Sequence, residues 1–425
     1  MHEAEAREGA AGAGGQQPEA REPARSRGPT VAPPEHPPAW SPSVPNARLA
    51  RHYLPARHPV LDGNACRLLR DGVEAYPQML QAIRGARRYV HLETYMFLTD
   101  AVGELFGQAL AEAAERGVRV KVLYDAVGSW TARRSFFASL RARGVDIRPF
   151  KPFSLGRGLQ HLLKRDHRKI LVVDGEVAFT GGVNIAAHWA PEGQGANWRD
   201  DVLRIEGPAV HALELRFVAT WRMAFKHRFR TWASQLRHRQ HVRARPRGNV
   251  SLAVLSSRRG IHKAYLHAIS RARTSVLVAA SYFIPDRKMV AALRDAARRG
   301  VEVSLILNGR SDHPFLEYCT RAFYERLLGA GVRIYEWQRG VLHAKTAVVD
   351  GVWGTVGSFN LERLSLGMNH EVNAVFADPG LGRALEDSFR MDCGTCHEVK
   401  LEAFRRRPAW QKLLERLLFL FRKVL

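Results

Sequence analysis

A β-hairpin is predicted by the stretch His343-Ala-Lys345-Thr-Ala-Val-Val-Asp350-Gly-Val-Trp-Gly-Thr-Val-Gly357-Ser358-Phe-Asn360. Its first strand runs to a tight turn at Asp350-Gly351, and its second strand ends at a Gly-Ser corner. Because successive side chains of a strand point to opposite faces, His343 and Lys345 project from the same face. An imidazole and an ammonium group are therefore expected side by side on one face of a sheet.

The same pattern occurs earlier in the chain, in His167-Arg-Lys169-Ile-Leu-Val-Val-Asp174-Gly-Glu-Val-Ala-Phe-Thr-Gly181-Gly182-Val-Asn184. The two copies share the His, Lys, Asp, Gly and Asn at identical spacings. One copy alone would be explained by an edge strand with solvated polar residues. Two copies in the same frame indicate a duplicated functional site.

The pattern H-x-K-x4-D, present twice and followed by G-[GS]-x-N, resembles the phospholipase D superfamily. The resemblance implies a catalytic set consisting of His167, Lys169, Asp174, His343, Lys345 and Asp350. In such a site one imidazole attacks a phosphodiester to give a phosphoramidate, and the other protonates the departing alkoxide. The lysines neutralise the non-bridging oxygens, with further donors from Asn184, Asn360 and Ser358. This chemistry requires no metal and no other cofactor.

Helices and strands alternate from about residue 59, which indicates a layered α/β structure. In the first half we predict helices at 73–86, 102–115 and 132–143 and strands at 89–97, 117–125 and 145–150. The second half repeats this order, with helices at 261–272, 289–299 and 322–330 and strands at 275–283, 300–308 and 332–337. The expected fold is two homologous α/β/α lobes with mixed sheets, related by a pseudo-twofold axis, with the active site at their interface.

The predicted domains are a disordered tail at 1–45, a first lobe at 46–236, a linker at 237–249, a second lobe at 250–400 and an amphipathic helix at 401–425. The tail has hardly an aromatic residue before Trp40, so it cannot bury enough apolar surface to offset its ordering entropy. We expect neither a signal peptide nor a membrane-spanning segment in it, because it lacks an apolar run.

The chain has a formal net charge of +24, which predicts an anionic partner, either nucleic acid or an anionic membrane surface. Composition alone does not choose between the two. Four cysteines in 425 residues fit a reducing compartment and argue against a disulfide scaffold.

Further motifs resemble bacterial cardiolipin synthases, in particular the subgroup without N-terminal membrane spans. They are the stretches Ser281–Arg287, Asn308–His313, Tyr124–Ser129 and Arg165–Lys169, and the likeness runs from about residue 60 to the C-terminus. Glu362 and Leu364 depart from the wider superfamily, which usually has Asp and Arg there. These departures concern the geometry of one loop and leave the catalytic set intact.

Two acids follow the motifs at related distances, Asp200 in Trp198-Arg-Asp-Asp201 and Glu371 in Asn369-His-Glu-Val-Asn373. In relatives, acids at these positions hydrogen-bond the catalytic imidazoles and fix the tautomer that exposes Nε2. The alternative is that both are surface carboxylates. Asp200 is preferred to Asp201 by register alone. Asp174 and Asp350 are interpreted as turn and scaffold residues rather than proton carriers, and the role of Glu93 is left open.

Near the C-terminus, Cys393-Gly-Thr-Cys396-His397 matches a haem-attachment pattern, but a polar surface turn is the preferred interpretation because attachment requires export. The tail Trp410–Leu425 is too short and too charged to span a membrane. Its cationic and apolar residues suit a helix lying in an anionic interface, and a terminal helix packed on the core is the alternative.

Three functional hypotheses follow. The first is phosphatidyl transfer between phospholipids through a phosphohistidine, as in cardiolipin synthesis, with His167 as nucleophile and His343 as the acid–base group. The second is a hydrolytic phospholipase D, phosphodiesterase or nuclease of the same fold, and the third is an inactive membrane-binding relative. We favour the first, with phosphatidylglycerol and possibly phosphatidylethanolamine as substrates. The expected location is the cytoplasmic side of a bacterial cell membrane, peripherally bound, with no obligatory protein partner and nucleic acid disfavoured.

Overall fold

The structure is a computed structural model that describes residues 46–54, 59–152, 164–191, 197–224, 245–310, 314–362 and 369–420. The predicted disordered tail, most of the basic loop 151–165, most of the linker 237–249 and residues 421–425 lie outside the described residues.

The first sequence repeat contains helices and strands in the predicted alternation. Its helices α1 to α5 are Asn46–Tyr53, Asp71–Arg84, Ala101–Glu115, Arg134–Ala142 and Pro208–Ala224. Its strands β1 to β7 are Leu61–Arg70, Tyr89–Thr94, Arg119–Asp125, Asp146–Phe150, Ile170–Val173, Val177–Gly181 and Asp201–Glu206. The strand predicted at 89–97 ends at Thr94. Two residues later the backbone N–H of Met96 donates to the Asn184 side chain at 3.1 Å.

The second repeat follows the same order. Its helices α6 to α12 are Arg258–Arg271, Arg287–Arg298, Pro314–Arg321, Tyr324–Leu328, Pro379–Cys393, Leu401–Arg405 and Ala409–Leu420. Its strands β8 to β15 are Val250–Leu255, Ser275–Ala280, Glu302–Asn308, Arg333–Trp337, Lys345–Val349, Trp353–Gly357, Asn373–Ala377 and Cys396–Val399. The helix predicted at 322–330 is shorter than expected, and α8 precedes it.

The strands of the two repeats join into one continuous sheet. Within the described residues its order is β15-β11-β10-β9-β12-β13-β14-β8-β1-β7-β6-β5-β2-β3-β4. The two halves of the sheet have the same strand order when each is followed outward from the centre. This order is β1-β7-β6-β5-β2-β3-β4 in the first repeat and β8-β14-β13-β12-β9-β10-β11 in the second. The antiparallel contact of β1 with β8, irregular between Leu61 and Asn64, forms the seam. Two homologous lobes with mixed sheets are therefore confirmed, and the merging of their sheets is an addition to the prediction.

Each motif hairpin closes with an Asp-Gly turn in the left-handed conformation. The φ angles are 55° and 69° at Asp174 and Gly175, and 54° and 63° at Asp350 and Gly351. Two consecutive positive φ angles suit the right-handed twist of a two-residue hairpin, and Asp and Gly tolerate them. The tight turn predicted from the sequence is confirmed in both copies.

A shared apolar core lies between the repeats. Helices α5 and α10 contribute Leu213 and Phe389 to a cluster that also contains Ile170 and Val172 of β5 and Val348 of β12. Separate clusters cover the outer face of each half of the sheet. Because both faces of the motif strands are covered, β5 and β12 are buried throughout, and their residues are apolar apart from Lys345 and Thr346 at the start of β12.

Helix α1 packs against the second repeat, although its sequence position places it before the first. Leu49 and Tyr53 belong to the core cluster of the second repeat, and the Tyr53 hydroxyl donates to Asp350 Oδ2 at 2.5 Å. This N-terminal helix therefore supports the turn of the second motif. The remaining domain boundaries stay a prediction.

The segment Cys393–His397 is a turn followed by an edge strand. Gly394 and Thr395 turn the chain, and Cys396 begins β15, which pairs antiparallel with β11. The interpretation as a surface turn is correct only for the two central residues, because Cys396 and His397 already belong to the sheet. None of the helices described here has the length and apolar character required to cross a bilayer.

Candidate active site

The aspartates of the two motifs lie at the hairpin turns and organise the neighbouring strand. Asp174 accepts hydrogen bonds from the backbone N–H groups of Arg87, Arg88 and Tyr89, each at 2.8 Å. Asp350 accepts equivalent bonds from Arg273, Thr274 and Ser275 at 2.8–3.1 Å. Both carboxylates thus hold the start of the adjacent antiparallel strand, in agreement with their interpretation as turn and scaffold residues.

The two motif histidines are hydrogen-bonded to carboxylates of the opposite repeat. His167 Nδ1 lies 3.2 Å from Glu371 Oε2, and His343 Nδ1 lies 2.6 Å from Asp200 Oδ2. A carboxylate on Nδ1 fixes the tautomer in which Nε2 faces the cleft. The predicted pairing of imidazoles with acids is present, and in each case the acid comes from the opposite repeat.

The choice between Asp200 and Asp201 is resolved by their partners. Asp200 contacts His343, whereas Asp201 Oδ1 lies 3.0 Å from the Arg199 guanidinium. Burial raises the pKa of Asp200 to about 6. Asp200 is therefore the acid that orients the imidazole of His343.

The two histidine–acid pairs are not identical. Ser358 donates its hydroxyl to Glu371 Oε2 at 2.5 Å and thereby holds the longer acid beside His167. The corresponding residue of the first repeat is Gly182, where a Cβ atom would lie 2.2 Å from Asp200 Oδ1. The shorter acid therefore requires glycine at this position, and the longer acid has a serine. The hydroxyl of Ser358 donates to Glu371 in this structure, and its role as a donor to phosphate stays a prediction.

The motif lysines are buried next to the imidazoles. Lys169 and Lys345 are 4% and 2% exposed, and each Nζ donates to the backbone carbonyl of the histidine two residues earlier. Burial, together with the charge of Lys345, lowers the pKa of Lys169 to about 7. Burial and the charge of Lys169 also lower the pKa of His167. An anion placed between these groups would offset the repulsion.

The two motif asparagines differ in how many of their donors are used. Asn184 accepts a bond from Met96 N–H, while its own Nδ2 is buried without a hydrogen-bond partner among the described residues. Asn360 accepts from the Ser281 hydroxyl at 2.8 Å and donates to Glu362 Oε1 at 3.2 Å. Asn184 thus has both amide hydrogens without a partner among the described residues, whereas Glu362 accepts one of the two amide hydrogens of Asn360.

Aromatic side chains that the sequence pattern did not identify enclose both imidazoles. The Tyr95 ring contacts the edge of His167 at 5.2 Å and lies 5.4 Å from Lys169 Nζ. Trp189 and Trp198 lie 5.3 and 5.2 Å from His343. The position of Trp198, two residues before Asp200, could have indicated its place near the site. No nearby motif indicates that Trp189 contacts His343.

Behind His167 lies a buried acid–base cluster. Glu93 is fully buried, with an oxygen 3.9 Å from Arg168, and Arg168 donates to the Glu371 carbonyl at 3.2 Å. Burial and the neighbouring Asp166 raise the pKa of Glu93 well above its ordinary value. Glu93 is therefore a core acid, and Arg168 links this core to the main chain that carries Glu371.

Behind His343 lies a different cluster, centred on the buried guanidinium of Arg199. This group contacts Asp392 at 2.9 Å, Asp201 at 3.0 Å and Asp71 at 3.5 Å. The Arg199 carbonyl accepts from His343 N–H at 2.7 Å. The cluster thus joins α2, β7 and α10 and fixes the backbone of a motif histidine.

Comparison with known proteins identifies the same two repeats. A family model described as "Cardiolipin synthase, PLD-like domain" matches residues 79–206 and again residues 265–393. The chain is 32% identical to the major cardiolipin synthase ClsA of Bacillus subtilis, over 83% of this chain and 74% of that protein. It is 34% identical to a cardiolipin synthase of Geobacillus kaustophilus, over 87% of this chain and 74% of that protein.

A solved structure supports the fold at lower sequence identity. The phosphatidylserine synthase of Haemophilus influenzae superposes with a TM-score of 0.66 at 14% identity, covering 89% of this chain and 97% of that chain. At this identity the likeness concerns the fold alone.

Proposed function

Because the chain belongs to the cardiolipin synthase family of phospholipase D-like proteins, we propose that it transfers a phosphatidyl group from one phospholipid to the headgroup hydroxyl of another, phosphatidylglycerol. The observation that carries this proposal is the crossed pairing of His167 with Glu371 and of His343 with Asp200. It converts two motifs into one site that has two oriented imidazoles and two buried ammonium groups.

In the first step, Nε2 of His167 attacks the phosphorus atom of the donor lipid, and the bond to the glycerol headgroup breaks. His343 donates its Nε2 proton to the departing oxygen. The assignment is supported by the difference between the two rings. Burial favours the neutral, nucleophilic form of His167 by lowering its pKa. The short bond of His343 to Asp200 stabilises a proton on that ring through a charge-assisted hydrogen bond.

In the second step, a hydroxyl of the acceptor lipid attacks the phosphohistidine. The new phosphorus–oxygen bond forms as the phosphorus–nitrogen bond breaks, and His343 takes the hydroxyl proton. Lys169, Lys345 and Nδ2 of Asn184 stabilise the oxygens that carry charge in both steps. Water is the competing nucleophile, and a hydrolytic phospholipase D is the alternative function of the same site.

We expect purified protein with labelled phosphatidylglycerol to form mainly cardiolipin and glycerol. Positioning of the acceptor supplies an effective concentration of roughly 10⁵ M or more, enough to outcompete water. Added glycerol should drive the reaction backward, and EDTA should not inhibit, since ammonium and imidazole groups carry the charge stabilisation. Separation of the lipid products by chromatography gives the measurement.

The enzyme assay includes two contrasts. Addition of phosphatidylethanolamine to the vesicles tests whether this lipid also serves as a phosphatidyl donor. If phosphatidic acid dominates at every lipid density, the hydrolytic alternative replaces the synthase. Cleavage of single-stranded DNA at a comparable rate would instead support the nuclease hypothesis, for which the net charge of +24 is the relevant observation.

We further propose that the protein is peripherally bound to the cytoplasmic side of the cell membrane through α12. This helix packs on the second repeat, since Leu418 contacts its core and the Leu418 carbonyl accepts from Cys319 Sγ. On another face Trp410, Leu413 and Leu417 are 60%, 59% and 48% exposed. Their spacing of three and four residues forms one apolar stripe, so the packed-helix and interfacial interpretations describe two faces of one helix.

Replacing Trp410, Leu413 and Leu417 together by serine should weaken binding to anionic vesicles by tenfold or more while leaving the melting temperature nearly unchanged. The expectation follows because each large apolar side chain gives about 1.5–3 kcal/mol when buried. Vesicle sedimentation and thermal unfolding are the measurements. Leu105→Ser, an exposed apolar position on α3, is the matched control. A fall in melting temperature with unchanged vesicle binding would contradict the proposal.

A further inference from the structure

A cavity of about 450 Å³ opens beside the candidate active site. The described residues that line it include Lys164, Arg258, Arg259 and His370, and no carboxylate is among them. The cavity borders the site directly, because His370 precedes Glu371 and its carbonyl accepts from the His167 backbone N–H at 3.0 Å.

Positive charge in this cavity is not neutralised by the described part of the chain. Nη1 of Arg258 and Nε2 of His370 are buried and have no hydrogen-bond partner there. Burial, followed by the charges of Arg168, Lys164, Lys151 and Arg258, lowers the pKa of His370 to about 3. A buried guanidinium donor without a partner is costly, so the unpartnered Nη1 of Arg258 beside Lys164 and Arg259 indicates a site for an anionic ligand.

The pseudo-twofold relation shows what the cavity lacks. The parallel bridge Asp166–His370 corresponds to the bridge Arg199–Leu342, so His370 is the counterpart of Arg199. Arg199 faces the carboxylate of Asp71, the first residue of α2.

The equivalent helix of the second repeat is α6, which begins at Arg258 and has no acid in its first turn. One repeat therefore supplies its own carboxylate at this position, and the other has a cationic cavity there.

We propose that this cavity binds the phosphate of the acceptor phospholipid and so distinguishes the acceptor from the donor. The inference rests on the proposed transferase function. The donor phosphate lies between the motif lysines, and the acceptor has its own phosphodiester, joined to the attacking hydroxyl through glycerol. Guanidinium and ammonium groups at Arg258 and Lys164 are suited to its non-bridging oxygens. Binding there holds the hydroxyl at the phosphohistidine in place of water.

The test is the ratio of cardiolipin to phosphatidic acid formed from phosphatidylglycerol vesicles. Arg258→Gln should lower this ratio by about tenfold or more, since it removes a charge-assisted hydrogen bond to the acceptor. Arg258→Lys should restore part of it. Lys263→Gln, which removes an exposed cation from the same helix, should leave the ratio unchanged. Thermal unfolding of each variant reports its fold.

Two outcomes separate this proposal from the proposed function. If wild-type protein forms no cardiolipin, the transferase function fails. If wild-type protein forms cardiolipin and correctly folded Arg258→Gln retains the wild-type ratio, the proposed acceptor site is wrong and the transferase function stands. Inorganic phosphate distinguishes the sources of the anion. If inorganic phosphate competes with the acceptor lipid for the cavity, it should lower the ratio of cardiolipin to phosphatidic acid in the wild type and not in Arg258→Gln. A rise in turnover at a constant ratio would instead mean that the cavity binds a free anion.

Discussion

Replacing His167 by alanine will abolish the covalent phosphatidyl intermediate, whereas His343→Ala will retain it with an activated leaving group. The nucleophile cannot be replaced by its partner, because Nε2 of His343 is held as the proton donor by Asp200. A nitrophenyl ester needs no proton on departure, so attack by His167 proceeds without the acid. With phosphatidylglycerol, the His343 variant should lose about 10²–10⁴-fold in rate, the usual contribution of an acid–base group.

Rapid quench of labelled substrate, followed by isolation of the acid-labile protein adduct, measures the intermediate. Asp174→Asn serves as a scaffold control, since this carboxylate caps backbone N–H groups at the hairpin turn and should affect stability more than labelling. Labelling that persists in His167→Ala and disappears in His343→Ala would reverse the two roles. Labelling lost equally in both, with native melting temperatures, would argue against a single covalent nucleophile.

Replacing Arg199 by methionine should destabilise the protein by about 3–5 kcal/mol, because it leaves buried carboxylates without their cation. Asp201 and Asp392 are 2% and 3% exposed, and Asp392 also contacts a second arginine, Arg70, at 2.7 Å. Urea unfolding measures the loss. Catalysis should fall as well, since the Arg199 carbonyl holds the backbone of His343.

The destabilisation should depend on pH in a defined direction. Burial already raises the pKa of Asp201 to about 6 with Arg199 present, so removing the cation raises it further. When the pKa of an acid is higher in the folded state than in the unfolded state, the protein loses stability as pH rises from the unfolded-state pKa through the folded-state pKa. The variant should therefore differ from wild type more at pH 8 than at pH 5. Arg390→Met, which breaks half-exposed pairs with Glu302 and Glu386, is the control and should cost about 1 kcal/mol or less. A loss as small as this in Arg199→Met would contradict the argument.

The features that the sequence predicted are those encoded locally. The apolar runs and the Asp-Gly turns predict both hairpins, and the repeat itself predicts two lobes with the motif residues facing each other. The family resemblance, applied at related distances after the two motifs, also predicted Asp200 and Glu371 next to the imidazoles. These signals lie within a few residues of one another or recur at a constant offset, so no three-dimensional information is needed to detect them.

The features that were missed depend on contacts between distant segments. Ser358 and Gly182 occupy equivalent positions, and only the length of the facing acid explains why one is a serine. Trp189 touches His343 from the other repeat. No sequence pattern singled out Arg199, and its three acids come from α2, β7 and α10. Such partners are fixed by how the two halves meet, which no local pattern records.

The crossed histidine–acid pairs have a consequence for heredity as well as for chemistry. An alignment of the two repeats puts His167 beside His343 and Asp200 beside Glu371, yet the residues that must change together are His167 with Glu371 and His343 with Asp200. Neither repeat contains both members of a histidine–acid pair. A gene that encodes one repeat alone therefore specifies an imidazole without the acid that orients it. Suppressors of a defect at Asp200 are therefore to be sought in the second repeat, around His343, and those of a defect at Glu371 in the first.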